Sequence, residues 1–274
     1  METCQIELGG QEIYPNIYKG IELLPRNNRK LVAIVIGVSG AGKDRIVEEM
    51  KQKNLFRHVL TATTRLRRFK ALKEEDNEKL LSIANSALTR EDHNKILNEF
   101  AQRGLATVEP ENAYVWMRFM RPSDETQEQY FENLRKEYTL IENHVHDGGN
   151  LYGLPKNSLI AHDDSMSIPV LRIEVNGAIT LNNLLPQDEF QIVNLTIVPD
   201  SLDQSKDDMI ARATNLSQSE LEDRMRKNIE DCQMYKDITN FYIKNTRQEI
   251  NGRPGIETTI DSLSKLTLDL LQSE

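Results

Sequence analysis

Two clusters in this 274-residue chain carry residue types that handle phosphate. The first, Gly37-Val38-Ser39-Gly40-Ala41-Gly42-Lys43, fits the pattern G-x-x-x-x-G-K. Its glycines let the main chain come close to an anion, and its backbone N–H groups, including those of Ser39, Gly40, Ala41 and Gly42, wrap a polyphosphate. Lys43 then reaches the β- and γ-phosphates as a point charge. The following position, where such loops usually offer Ser or Thr to Mg²⁺, is Asp44. A carboxylate also suits a hard cation, so Asp44 is the candidate metal ligand. The second cluster is Thr61-Ala62-Thr63-Thr64-Arg65-Leu66-Arg67-Arg68. Hydroxyls followed by arginines three apart suit a phosphate monoester, because Arg presents forked donors and hydroxyls fill the remaining lone pairs.

These residues need a frame. Leu31–Ile36 is an unbroken apolar run, the pattern of a parallel strand buried on both faces. After Lys43 the pattern turns helical, with Ile46, Val47 and Met50 on one stripe. Strand, glycine turn and helix together place an anion at a helix N-terminus. The strand after that helix runs up to the Thr61 cluster. Further strands are expected at Tyr114 to Phe119, Tyr138 to Val145, Val170 to Val175, residues 190–198 and Ile238 to Ile243. Helices are expected at 124–136, between the 170s strand and Pro186, at 201–213, at 218–236 and at 257–272. Alternating strands and helices imply an α/β fold whose parallel sheet is covered on both faces.

Two regions stand outside that alternation. Residues 1–30 contain Gln5-Ile6-Glu7-Leu8, Gly9-Gly10 and Glu12-Ile13-Tyr14, read as a small hairpin in an N-terminal extension. Residues 70–112 are charged and helical. Leu80, Leu81, Ala84, Ala87 and Leu88 fit one amphipathic helix, Thr89-Arg90-Glu91-Asp92 resembles a capping box for a second, and Gly104 is its stop. This is a helical hairpin inserted in a framework that does not require it.

The net charge of −9 argues against broad attraction to nucleic acid. Cys4 and Cys232 form neither a disulfide framework nor a metal motif, as in a reducing cytosol. His144, His146 and His162 lack a third ligand at metal spacing and are read as surface residues. The start METCQIELGG lacks the basic and apolar regions of a signal peptide, and no apolar run approaches a membrane span. A cytoplasmic protein is expected.

Taken in order, the glycine loop, TATTRLRR, Leu140-Ile141-Glu142 and Gly149-Asn150-Leu151-Tyr152-Gly153 resemble the motifs of guanylate kinases. VLRIEVNGA resembles that family's L-x-I-D-x-x-G-A segment, and IVPDSLDQSKDDMIARAT its entry to the lid. The resemblance spans about residues 31–272, without the leader and the insertion. It implies a P-loop NTPase-type parallel sheet flanked by helices, with NMP-binding and lid subdomains. A kinase-like domain would occupy 31–274, its acceptor-binding part 113–153 and its lid 201–226. ATP and Mg²⁺ would be the cofactors, and GMP or dGMP the acceptor. Thr61, Arg65 and Arg68 would hold the acceptor phosphate with Tyr152 and Tyr114, and Glu142 would accept from a guanine N–H. Gly37, the rest of the loop and Lys43 would hold the ATP phosphates, with Asn245 on the adenine side. Arg212 and Arg224 would close from the lid, and Glu174 would orient Mg²⁺ water or the acceptor ribose.

Five departures qualify this resemblance: Asp44 itself, Leu154 where the family has Ser or Thr, Asp208 in place of the first lid arginine, a longer turn before Tyr152, and the insertion. Two other readings follow from them. Ribose 1,5-bisphosphate phosphokinase is a relative whose loop carries Asp at the Asp44 position and tolerates an apolar residue like Leu154. A guanylate-kinase-like binding module with a weakened active site is the other. The insertion fits an oligomer interface, a partner site or an extended lid equally well.

Overall fold

The computed structural model describes residues 10–67, 69–87, 89–110, 115–117, 124–160, 167–212, 218–249 and 252–273 apart from 146–149, with 142–145, 160, 211–212 and 218–220 described by backbone alone. The chain divides into two compact units, residues 1–59 with 162–274, and residues 60–161.

In the first unit, β1 (Glu12–Tyr14), β2 (Ile17–Lys19) and β3 (Lys30–Gly37) precede α1 (Lys43–Gln52) and β4 (Phe56–His58). Its sheet is completed by strands described below, after the 60–161 unit. That unit opens with β5 (Ala62–Thr63) and β6 (Phe69–Ala71), then α2 (Asn77–Asn85), α3 (Arg90–Gln102), β7 (Ala106–Val108) and β8 (Val115–Trp116). It closes with α4 (Gln127–Glu137), β9 (Leu140–Val145), β10 (Leu151–Pro155) and α5 (Lys156–Ile160). The first unit resumes at β11 (Ile168–Arg172), α6 (Val175–Leu184), β12 (Phe190–Pro199), α7 (Leu202–Arg212), α8 (Gln218–Tyr235), β13 (Phe241–Asn245) and α9 (Gly255–Gln272).

Its seven-stranded sheet has the order β1-β2-β13-β12-β3-β11-β4 among the described residues. The five strands from β13 to β4 are mutually parallel, while β2 joins β13 and β1 joins β2 antiparallel. Every residue from Leu31 to Ile36 is buried, as a central strand covered on both faces requires. Ile46, Val47 and Met50 of α1 are buried as their stripe demands, and α1 packs against α9 and β3. The α/β fold with a largely parallel sheet flanked by helices is therefore as expected.

Details differ. Glu12–Tyr14 pairs with Ile17–Lys19, turning at Asn16 (φ 65°), and the Ile6 half of the expected hairpin lies outside the described residues. Asn16 holds that turn by donating to Thr259 Oγ1 at 2.9 Å. The strand expected from 238 starts at Phe241, because Thr239 and Asn240 give their side chains to Thr196 and to the Asn194 N–H. The strand after α1 is two strands in two sheets: β4 pairs with β11, and β5 pairs with β10 and β8. The GNLYG motif yields a strand, β10, that no alternation announced.

Among the described residues the second unit has a four-stranded sheet of order β8-β5-β10-β9. Ala62, Met117, Tyr130, Phe131, Leu134 and Leu151 form its core, and α4 starts in a reciprocal Thr126–Gln129 capping box. Helices α2 and α3 form in the region read as an insertion, and Thr89 Oγ1 accepts the Asp92 N–H at the start of α3. Its first helix ends at Asn85, so Ala87 lies beyond it and Leu88 outside the described residues. Leu81 is exposed, because Leu80 and Ala84 face the insertion's own core with Leu97 and Phe100. The two-stranded hairpin β6–β7 closes the base of the insertion, with Ala71 opposite Ala106.

Candidate functional site

The glycine loop lies between β3 and α1, at the carboxyl end of the parallel strands, where the first N–H groups of a helix lack intrahelical partners. Gly40 and Gly42 both have φ 85°. A Cβ at Gly40 would stand 2.5 Å from the Ser205 carbonyl oxygen, and one at Gly42 2.3 Å from Asn245 Nδ2. Both glycines are thus required by conformation, and Gly40 also by the backbone oxygen a side chain would strike. Asn245 Nδ2 donates to the Ala41 carbonyl at 2.8 Å, fixing the loop from the end of β13. Lys43 Nζ donates to the Gly37 and Val38 carbonyls at 2.6 and 3.0 Å, so the loop itself aims the ammonium. Burial, with Asp44 opposing, lowers the Lys43 pKa to about 8.

Helices α7 and α8 grip the same loop. Ser39 N–H donates to Asn228 Oδ1 at 2.9 Å, and Ser205 Oγ donates to the Ser39 carbonyl. The Ser39 amide, expected to face phosphate, is thus engaged by Asn228. Asp44 is exposed and ion-paired with Arg172 at the end of β11. Glu174 is the N-cap residue of α6, and its carboxylate accepts from Lys227 Nζ at 2.7 Å. Asp231, one turn beyond Lys227, has its carboxyl pushed up by burial, with Lys227 opposing. Asp208 pairs with Arg247, and Arg224 lies exposed on α8. Arg212 ends α7, and its side chain lies outside the described residues. Asn228, Ser205, Arg172 and Lys227 were missed by sequence reasoning. For Ser205 and Asn228 the signal was a polar residue among the buried positions of α7 and α8, and no spacing rule assigns it a role; Arg172 and Lys227 carried none.

In the 60–161 unit, the Thr61–Arg67 segment is tightly bonded. Thr61 is half-buried and its carbonyl accepts the Val115 N–H. Thr63 Oγ1 accepts the Arg65 N–H at 3.0 Å, and Thr64 Oγ1 accepts the Leu151 N–H at 2.9 Å. Arg65 is buried and forks onto Glu109, with Nη1–Oε2 2.9 Å and Nη2–Oε1 2.8 Å. The arginine expected to hold the acceptor phosphate is thus paired with a carboxylate from the end of the insertion. Arg67, also buried, donates to the Glu109 carbonyl and to Asn98 Oδ1. Tyr152, half-buried on β10, stands opposite Thr63 in the ladder, next to the segment that carries Thr61 and Arg65. Leu154 is fully buried and stands opposite Glu142, whose side chain lies outside the described residues. Arg68 and Tyr114 also lie outside them.

The donor set fits polyphosphate at the glycine loop. For Mg²⁺, Asp44 is a hard oxygen donor directly after Lys43, of the kind that binds this ion together with substrate phosphates, and Arg172 is the partner it would exchange. Among the described residues, no three His, Cys, Asp or Glu side chains converge as a metal site.

No protein-family profile matches the chain. A guanylate kinase from Clostridioides difficile (strain 630) is 28% identical over 131 residues, which cover 46% of this chain and 60% of that protein. Among solved structures, a guanylate kinase from Anaplasma phagocytophilum is 17% identical with a TM-score of 0.45, covering 92% of this chain and 89% of that one. TT1252 from Thermus thermophilus is 13% identical with a TM-score of 0.41, covering 89% of this chain and 100% of that one.

Proposed function

We propose, from the premise that this chain is guanylate-kinase-like in sequence, that it transfers the γ-phosphoryl group of ATP to a nucleoside monophosphate, GMP or dGMP. The observation that carries the reading is the Gly37–Lys43 loop, with its glycines at positive φ and its lysine aimed by loop carbonyls. In this reading the loop amides and Lys43 hold the ATP phosphates, with Asn245 beside the loop. Thr61, Arg65, Arg68, Tyr114 and Tyr152 take the acceptor phosphate, and Glu142 its base. An acceptor phosphate oxygen attacks the γ-phosphorus, the bond to the β–γ bridging oxygen breaks, and ADP leaves. No general base is needed, because the nucleophile is already an oxyanion. What the protein supplies is alignment and positive charge on the transferring group, from Lys43, Arg212 and Arg224. Mg²⁺, when bound, neutralises charge on the β- and γ-phosphates, and Asp44 is its candidate ligand.

A second reading rests on Leu154. Fully buried and without a hydrogen-bonding group, it offers no hydroxyl to a guanine. That favours an acceptor without a base, ribose 1,5-bisphosphate, and Asp44 agrees with it. A coupled ADP-release assay with Mg·ATP separates the two, using GMP, dGMP, AMP, UMP and ribose 1,5-bisphosphate against Lys43→Ala. Turnover on GMP or dGMP that vanishes in the variant supports the first reading. Turnover on the bisphosphate alone supports the second. Folded protein inactive on every acceptor refutes both and leaves a binding module.

A further inference from the structure

The helical insertion surrounds the segment expected to hold the acceptor phosphate. Arg90, the first residue of α3, donates from Nη2 to the Thr64 carbonyl at 2.8 Å and from Nη1 to the Arg65 carbonyl at 2.9 Å. His93, buried one turn on, places its two ring nitrogens 3.1 Å from the Ala84 carbonyl and 3.3 Å from the Arg67 carbonyl. Asn98, on the same helix, accepts from Arg67. From the other end of the insertion, Glu109 forks Arg65 through its carboxylate and binds Arg67 through its carbonyl. Two consecutive carbonyls, those of Thr64 and Arg65, are thereby met by the Arg90 fork, and the Arg67 carbonyl lies against a ring nitrogen of His93. A buried carbonyl needs a donor, so this pattern gives the segment its shape.

Trp116 adds a second observation. The guanidinium carbons of Arg65 and Arg90 stand 5.6 and 5.4 Å from its ring centroid, so the arginine of the segment and the arginine of the insertion share one aromatic surface. A guanidinium fork across two consecutive carbonyls, with its face against a ring, is a geometry that lysine does not reproduce.

We infer that the insertion is part of the acceptor site and that Arg90 is a positioning residue, holding the Thr64 and Arg65 backbone so that the Arg65 guanidinium, on exchanging Glu109 for it, meets the acceptor phosphate. This rests on the kinase reading above. An oligomer interface or partner site would not require α3 to bond this segment, and a lid would not be bonded to it at rest.

The chain has one tryptophan, so Trp116 emission reports on this place alone. The test uses the full-length protein and the variants Arg90→Ala and Arg90→Lys, with three readouts: Trp116 emission on titration with GMP, KM for GMP and for ATP in the coupled assay, and hydrogen exchange of the 61–67 amides. Both variants should bind GMP about tenfold or more weakly and raise KM for GMP by a similar factor. KM for ATP should be unchanged. Exchange of the Thr64 and Arg65 amides should rise by about tenfold or more in Arg90→Ala. Unchanged GMP affinity with unchanged exchange would overturn the inference, as would full recovery in Arg90→Lys, which would reduce Arg90 to a charge. A rise in KM for both substrates would mean general destabilisation and also overturn it. If the wild type neither binds nor phosphorylates GMP, the kinase reading fails by that result, while the exchange readout still decides whether Arg90 shapes the segment.

Discussion

Lys43 shows how one residue's environment sets a measurable property. Burial in the loop lowers its pKa to about 8, so the free protein loses the ammonium as pH rises through that value. Phosphate binds the charged form, and ATP affinity should therefore fall above pH 8, by at most about tenfold per unit. Calorimetric titration from about pH 6.5 to 9.5 would show it, and Lys43→Arg should remove the inflection because guanidinium stays charged. The Arg65–Glu109 pair tests a different energy. Its side chains are only 9% and 21% exposed, so removing one partner leaves a largely buried charge. Glu109→Ala should cost about 2–4 kcal/mol in urea unfolding, and Glu109→Gln, which keeps an acceptor, about half that.

Among the elements, α3 is the one whose start matters most. Thr89 caps it by accepting the Asp92 N–H at 3.1 Å, while its hydroxyl donates to the Asp92 carboxylate at 2.7 Å. The expected cap was present, although the reciprocal bond runs from hydroxyl to carboxylate rather than from the backbone. Thr89→Ala should lose about 1 kcal/mol of stability. Because Arg90 is the next residue, GMP affinity should also drop in the Trp116 titration. A cap variant elsewhere, Thr126→Ala at the start of α4, should cost similar stability without that drop. The glycine loop is positioned differently, from β12, α7, α8 and β13 at once, with Asn228 and Asn245 as its main side-chain anchors.

At the scale of the molecule, the two units carry separable tasks in the proposed reaction: the donor loop lies in one and the acceptor segment in the other. Ala71 and Ala106 face each other across β6–β7, so residues 72–105 can be replaced by a two-residue hairpin turn. The shortened protein should keep cooperative unfolding and ATP binding, since the seven-stranded sheet contains none of the deleted residues. It should lose GMP binding together with Arg90. Retained GMP binding would assign the insertion to some other role. Among the described residues, no helix is long and apolar enough to cross a membrane.

Much of this was legible in the chain alone. The apolar run Leu31–Ile36, the glycine spacing up to Lys43 and the stripe of Ile46, Val47 and Met50 are local patterns, and local patterns dictate a buried strand, a turn and an amphipathic helix whatever surrounds them. The same holds for the cap at Thr89 and the alternation of strands and helices. The partners of the charged groups were decided only by the tertiary structure. That Arg65 meets Glu109, Asp44 meets Arg172, Glu174 meets Lys227 and Ser39 meets Asn228 follows from segments brought together across 44 to 189 positions. Ion pairs and buried carbonyls are satisfied by whichever donor folding delivers, and spacing along the chain holds no record of that choice. For the same reason the sequence left the insertion open between an oligomer interface, a partner site and an extended lid, and its bonds to the 64–67 segment, which tie it to the proposed acceptor site, were legible only in the tertiary structure.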